Sequence, residues 1–151
     1  MKAFVQPIQF GIATAGCLIS YFLVLSLFGL HTNIFYSLFN GFITGLGIYK
    51  SIHYYRNNDL SHFGYGKGFI AGIVTGFVAT LLFTLFFAFY ATEINTTFLA
   101  ALSSVWFKDF QNFEGIVFFT VAIMGFTTSL VLTLSFMQLF KTSNNLNTKS
   151  A

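Results

Sequence analysis

The chain has 151 residues, 56% of them hydrophobic and only 7% charged, with a formal net charge of +3. A soluble domain is about 25% charged, so an ordinary water-facing surface is excluded and the mean hydropathy of +0.76 points to a bilayer. The seven basic residues are scattered, which excludes a nucleic-acid face, and the lone Cys17 excludes an internal disulfide or a CxxC redox pair.

The reading that follows is an all-α polytopic membrane protein: four transmembrane helices in a bundle, plus a short interfacial amphipathic helix between the third and fourth. No Lys, Arg, Asp or Glu occurs from Ala3 to Tyr49, a run long enough for two crossings at about 20 residues each. The first span is expected over Pro7–Leu30, with Pro7 in the first turn, where its missing N–H is not needed. The polar break His31-Thr32-Asn33 ends it. The second span is expected over Ile34–Tyr55, with Lys50 snorkelling to the interface and Tyr49, Tyr54 and Tyr55 as an aromatic belt. The turn Arg56–Asp59 follows. The third span is expected over Gly68–Ala91 and the fourth over Gly115–Phe140. Residues 1–140 thus form one transmembrane domain, and Lys141–Ala151 reads as a disordered polar tail.

Between the last two spans, Glu93–Glu114 carries Glu93, Lys108, Asp109 and Glu114. It is too charged to cross, yet Phe98, Leu102, Trp106 and Phe110 recur every four residues and share a helix face. A helix lying at the membrane surface, with Trp106 among the headgroups, is expected. Lys2, Lys50, Arg56, Lys67, Lys141 and Lys149 then fall on one side and Lys108 on the other. By the positive-inside rule the first side is cytoplasmic, so both termini are cytoplasmic.

The segment Gly64–Gly76, GYGKGFIAGIVTG, could suggest a phosphate loop. Such a loop needs GxxxxGK followed by Ser or Thr after a strand. Here Gly68 follows Lys67, and no strand-like segment precedes. The better reading is helix packing: Gly68, Gly72 and Gly76 stand four apart on one helix side, extended by Thr75, Ala79, Thr80, Thr84 and Ala88. Small residues allow the close backbone approach that helix association in lipid relies on. Comparable seams are expected in the first span (Ala13, Gly16, Cys17, Ser20), the second (Ser37, Asn40, Gly41, Thr44, Gly45, Ile48) and the fourth (Gly125, Ser129, Thr133).

Candidate chemistry is sparse. Asn40, with Thr44, is the polar contact expected inside a span, as an interhelical hydrogen bond or as the lining of a polar path. His31 and Glu93 could meet near the outer surface. His53, Asp59 and His62 lack a compact metal-ligand spacing. No carboxylate sits deep in a span, whereas proton-coupled transport needs an ionisable group there. No catalytic residue, cofactor or metal is expected. The expected partners are membrane lipids and either a membrane protein or a second copy of the chain. Two function classes follow: a non-catalytic accessory or assembly component, or a small channel or carrier of an ion or lipid-linked cargo.

Tyr49-Lys50, Arg56–Asp59, Gly66–Phe69, Gly72 and Thr92-Glu93, in this order along nearly the whole chain, resemble the small bacterial membrane proteins grouped as domain-of-unknown-function family 4199. The resemblance implies a four-span inner-membrane protein with no catalytic residues to carry over. It also implies an accessory role in envelope glycolipid metabolism.

Overall fold

The computed structural model describes residues 2–30, 34–58, 64–94 and 113–140. All regular structure among the described residues is helical. Helix α1 spans Lys2–Leu27, α2 Ile34–Asn58, α3 Tyr65–Phe89 and α4 Phe113–Leu139; α3 runs on into a π-helical turn, Tyr90–Ile94. Among the described residues, three stretches are long and apolar enough to cross a membrane: Phe4–Leu27, Tyr65–Ile94 and Phe113–Leu139. The second helix is comparable in length but more polar, carrying Asn40, Lys50, His53 and Arg56.

The helix ends differ from expectation in ways that local chemistry explains. Helix α1 begins at Lys2, so Pro7 lies beyond the first turn and is buried inside the helix. The first helix also stops before His31-Thr32-Asn33. Gly29 takes the left-handed conformation at φ 67°, the Leu30 N–H donates to the Leu25 carbonyl and the Gly29 N–H to the Ser26 carbonyl. This is a Schellman cap, closed by a glycine because a Cβ is strained there. Arg56, Asn57 and Asn58, expected in a turn, form the last residues of α2. The segment Glu93–Glu114 is described only at its two ends: Glu93 is exposed in the π turn and Glu114 in the first turn of α4. Residues 95–112, the tail 141–151, and His31, Asp59 and His62 lie outside the described residues.

The four helices run alternately up and down. Helices α2 and α3 each pack against the other three. The half of the bundle holding the start of α1 and the end of α2 is closed by Ile48, Ile52, Met137 and Phe140, all buried, with Tyr49, Phe69 and Phe136 packed on them. The other half centres on the buried Phe22, whose ring stands edge-on to Phe83, Phe86, Phe87 and Tyr90 at centroid distances of 5.0–6.2 Å. Large apolar side chains cover the outside, among them Phe4, Ile12, Phe35, Phe42, Leu85, Phe119 and Leu134. Bulky exposed side chains around a core rich in small residues are an arrangement suited to lipid.

Candidate functional site

The interface of α3 and α4 is built from three rungs. A Cβ placed on Gly72 would lie 2.5 Å from Thr133 Cγ2. One on Gly76 would collide with Ser129, and one on Gly125 would lie 2.5 Å from Thr80 Cγ2. Each rung sets a glycine against a hydroxyl residue, and each step moves four residues along both antiparallel helices. The hydroxyl side chain occupies the space that the opposing glycine leaves. Thr133, in an end rung, donates its proton to the backbone carbonyl of Ser129 in the middle one, 2.7 Å away.

A second polar contact joins three helices. Thr75 Oγ1 lies 3.1 Å from the Pro7 carbonyl oxygen of α1 and 2.8 Å from Ser51 Oγ of α2. A hydroxyl has one proton. The carbonyl only accepts, so Thr75 donates to Pro7 and Ser51 donates to Thr75. Thr75 and Ser51 are fully buried.

The expected packing glycines therefore separate into groups. Gly72, Gly76 and Gly125 stand at close approaches. Gly68 is buried at the start of α3. Gly41 and Gly45 are not tight: a Cβ on Gly41 would reach only Thr128 at 4.0 Å, and one on Gly45 would make ordinary contacts at 3.7 Å with Leu132 and Phe136. Two glycines not singled out in the sequence are tight instead. Gly11 abuts Val78 and the Thr75 carbonyl, and Gly47 abuts Thr14. The seam expected in α1 is corrected: Ala13, Gly16, Cys17 and Ser20 all lie on its exposed side, while Pro7, Gly11 and Thr14 form its packed face. Both faces carry small residues at helical spacing, so periodicity could not choose between them.

Above the closed half, α2 and α4 diverge. They touch through Gly45 against Leu132 and Phe136 and through Tyr49 against Phe136 and Phe140, with ring centroids at 5.6 and 5.4 Å. One turn further up, Gly41 only grazes Thr128. The gap opens into a cavity of about 300 Å³. Buried Leu18, Phe22, Thr80 and Phe87 line its floor, and exposed Ser37 and Met124 mark its mouth between α2 and α4. Asn40 and Thr44 both line it. The Thr44 hydroxyl donates to the Asn40 carbonyl at 2.8 Å. Asn40 Oδ1 is buried with no hydrogen-bond partner among the described residues. The polar pair read from sequence thus borders a cavity, whereas the Phe22 floor and the Met124 mouth were not legible. Neighbouring Thr127-Thr128 in an apolar span was the signal available for the α4 wall.

Of the remaining candidates, Glu93 is exposed. The His53 ring stacks on Tyr49 and Phe140, and its Nε2 lies 3.2 Å from Asn57 Nδ2. At the start of α3, Gly64 is extended and serves as the N-cap, and the N–H groups of Lys67 and Gly68 turn back to its carbonyl. Those donors are taken up in opening the helix, so they do not form a free cradle for a phosphate. Comparison with known proteins brings no match to a family model, a curated protein or a solved structure.

Proposed function

We propose that the chain is a four-span integral membrane protein of a bacterial inner membrane, with both termini cytoplasmic, that acts as a non-catalytic accessory or assembly component. The observation that carries the four-span reading is the direction of the helices. Pro7 and Gly11 of α1 meet Thr75 and Val78 of α3, while Phe22, further along α1, meets Phe83, Phe87 and Tyr90, further along α3. The two apolar helices therefore run in the same direction. Two successive spans of one direction require the chain to cross back between them, and α2 is the long helix that joins them. Of its polar groups, Thr44 and Ser51 are buried at helix contacts and Asn40, His53 and Arg56 are half-buried, while Lys50 is exposed near the cytoplasmic end, within snorkelling reach of the interface. The Glu93–Glu114 segment, whose residues 95–112 lie outside the described residues, is expected at the outer surface, with Trp106 at headgroup depth. The resemblance to family 4199 agrees with this reading and extends it to an accessory role in envelope glycolipid metabolism.

A carrier of apolar or lipid-linked cargo is the second reading, favoured by the cavity that reaches Asn40. The buried Ile48, Ile52, Thr75 and Met137 close the bundle beneath it, which argues for a one-sided pocket over a continuous channel. Reporter fusions test the shared frame. Fusions after Asn58 and Ala151 are expected to read cytoplasmic, and one near Asn112 to read external. An external C-terminus overturns the four-span reading. Crosslinking in native membranes, with identification of what is captured, separates an assembly partner from a lipid cargo.

A further inference from the structure

The cavity has a size, a lining and a mouth, and together they define a ligand. We propose that it binds one unbranched alkyl chain ending in a neutral hydrogen-bond donor, of the fatty-alcohol type, which enters sideways from the bilayer. This inference rests on the bundle lying in a membrane.

Size limits the ligand first. At ~30 Å³ for each water-sized unit, 300 Å³ holds roughly ten non-hydrogen atoms. That suits a single chain and is too small for two. Such a volume stands at the lower edge of ligand pockets, which span ~300–1,000 Å³.

The lining limits its chemistry. Leu18, Phe22, Phe87 and Met124 offer hydrocarbon, and none of the lining residues among those described is ionisable. A charged headgroup would lose its hydration there without a counter-charge, so the bound part is neutral. Asn40 supplies the polar requirement. Its side-chain Oδ1 accepts no hydrogen bond among the described residues and is shielded from the cavity as it stands; a half-turn of the amide about its broad, two-fold χ2 presents that acceptor to the cavity, where it favours a ligand that donates. The mouth limits the route. Gly41 of α2 and Met124 of α4 both border the gap, the bundle beneath it is closed, and the opening between the two helices gives a sideways way in.

The test uses the full chain in phosphatidylcholine vesicles with a photoactivatable decanol, its methyl ether as the non-donating comparison, and mass spectrometry to map the adducts. The alcohol is expected to label the buried lining residues Leu18 and Phe87 in preference to exposed Leu85 and Leu134, and excess unlabelled decanol to suppress that labelling. Gly41→Leu, which places a side chain in the mouth without a backbone clash, should lower cavity labelling about tenfold at an unchanged melting temperature. If that variant fails to fold, Thr128→Met fills the mouth from the opposite wall and should do the same. Asn40→Leu should abolish the preference for alcohol over ether. Labelling spread evenly over the exposed apolar residues, or a filled mouth that labels like the parent, overturns the proposal and leaves the membrane reading intact. A protein that an alkaline wash strips from the vesicles overturns both.

Discussion

Gly72 and Thr133 occupy one space between them, and this makes the rung sensitive to a single methyl group. With a Cβ on Gly72 at 2.5 Å from Thr133 Cγ2 and 3.1 Å from Ile52 Cδ1, Thr133 must shift and the tip of Ile52 must give by a few tenths of an ångström. Gly72→Ala is expected to cost about 1–3 kcal/mol, as overpacking does, and Gly72→Leu more, read as a lower melting temperature in detergent. Thr133→Gly in the Gly72→Ala background should restore part of the loss, because contacting residues couple. Leu85→Ala, at a residue 61% exposed, is the matching control. Phe77 is less suitable, since its ring lies 4.8 Å from that of Phe126. Thr75→Val tests the three-helix contact in the same assay. It removes the proton given to Pro7 and leaves the Ser51 hydroxyl unpaired. The expected loss is roughly 0.6–1.7 kcal/mol, the range for interhelical hydrogen bonds in membranes.

Within an element, the same residue type answers to backbone shape instead of space. Among the described residues, nothing lies within 4 Å of a Cβ added to Gly29, yet its φ is +67°. Gly16 also has nothing within 4 Å but lies inside α1. Gly29→Ala should therefore weaken the end of α1 by about 1–2 kcal/mol, the cost of a left-handed alanine. Gly16→Ala should strengthen the helix by about 0.5–1 kcal/mol. Opposite shifts in melting temperature are the expected outcome, and equal shifts would show that the cap does not hold the helix end. The same cap explains why α1 stops before His31-Thr32-Asn33. The Schellman hydrogen bonds satisfy the last carbonyls of the helix, so the polar residues after Gly29 are not needed to end it.

For the whole molecule, the exterior decides the solvent. Cys17 is exposed on the side of α1, well inside an apolar stretch. In a bilayer that surface faces acyl chains, where a charged reagent would lose its hydration. Cys17 is expected to resist a charged, membrane-impermeant maleimide in intact membranes and to react once the protein is unfolded in ionic detergent. Ready reaction in intact membranes would place α1 in water. Trp106 gives a second reading of depth: quenchers placed along the acyl chain should act on it most strongly near the headgroups. Quenching strongest at the bilayer centre would add a crossing and break the pairing of the termini.

The positions of the four described helices were readable from the sequence alone to within a few residues at each end. The third span, expected over Gly68–Ala91, lies within the helical run Tyr65–Ile94, and the fourth, expected over Gly115–Phe140, matches Phe113–Leu139 closely. The reason is that apolar length and internal backbone hydrogen bonding dictate a span, and both are properties of the chain taken one stretch at a time. Partnership is not such a property. Helix α1 offers a small stripe on two faces, and only packing against α2 and α3 chose Pro7, Gly11 and Thr14 over Ala13, Gly16, Cys17 and Ser20. The rungs of α3 against α4 needed both helices in register before a glycine on one could meet a hydroxyl on the other. The cavity is further still from the sequence. It is the space left where α2 and α4 part above Gly45, and no single residue encodes a gap between helices.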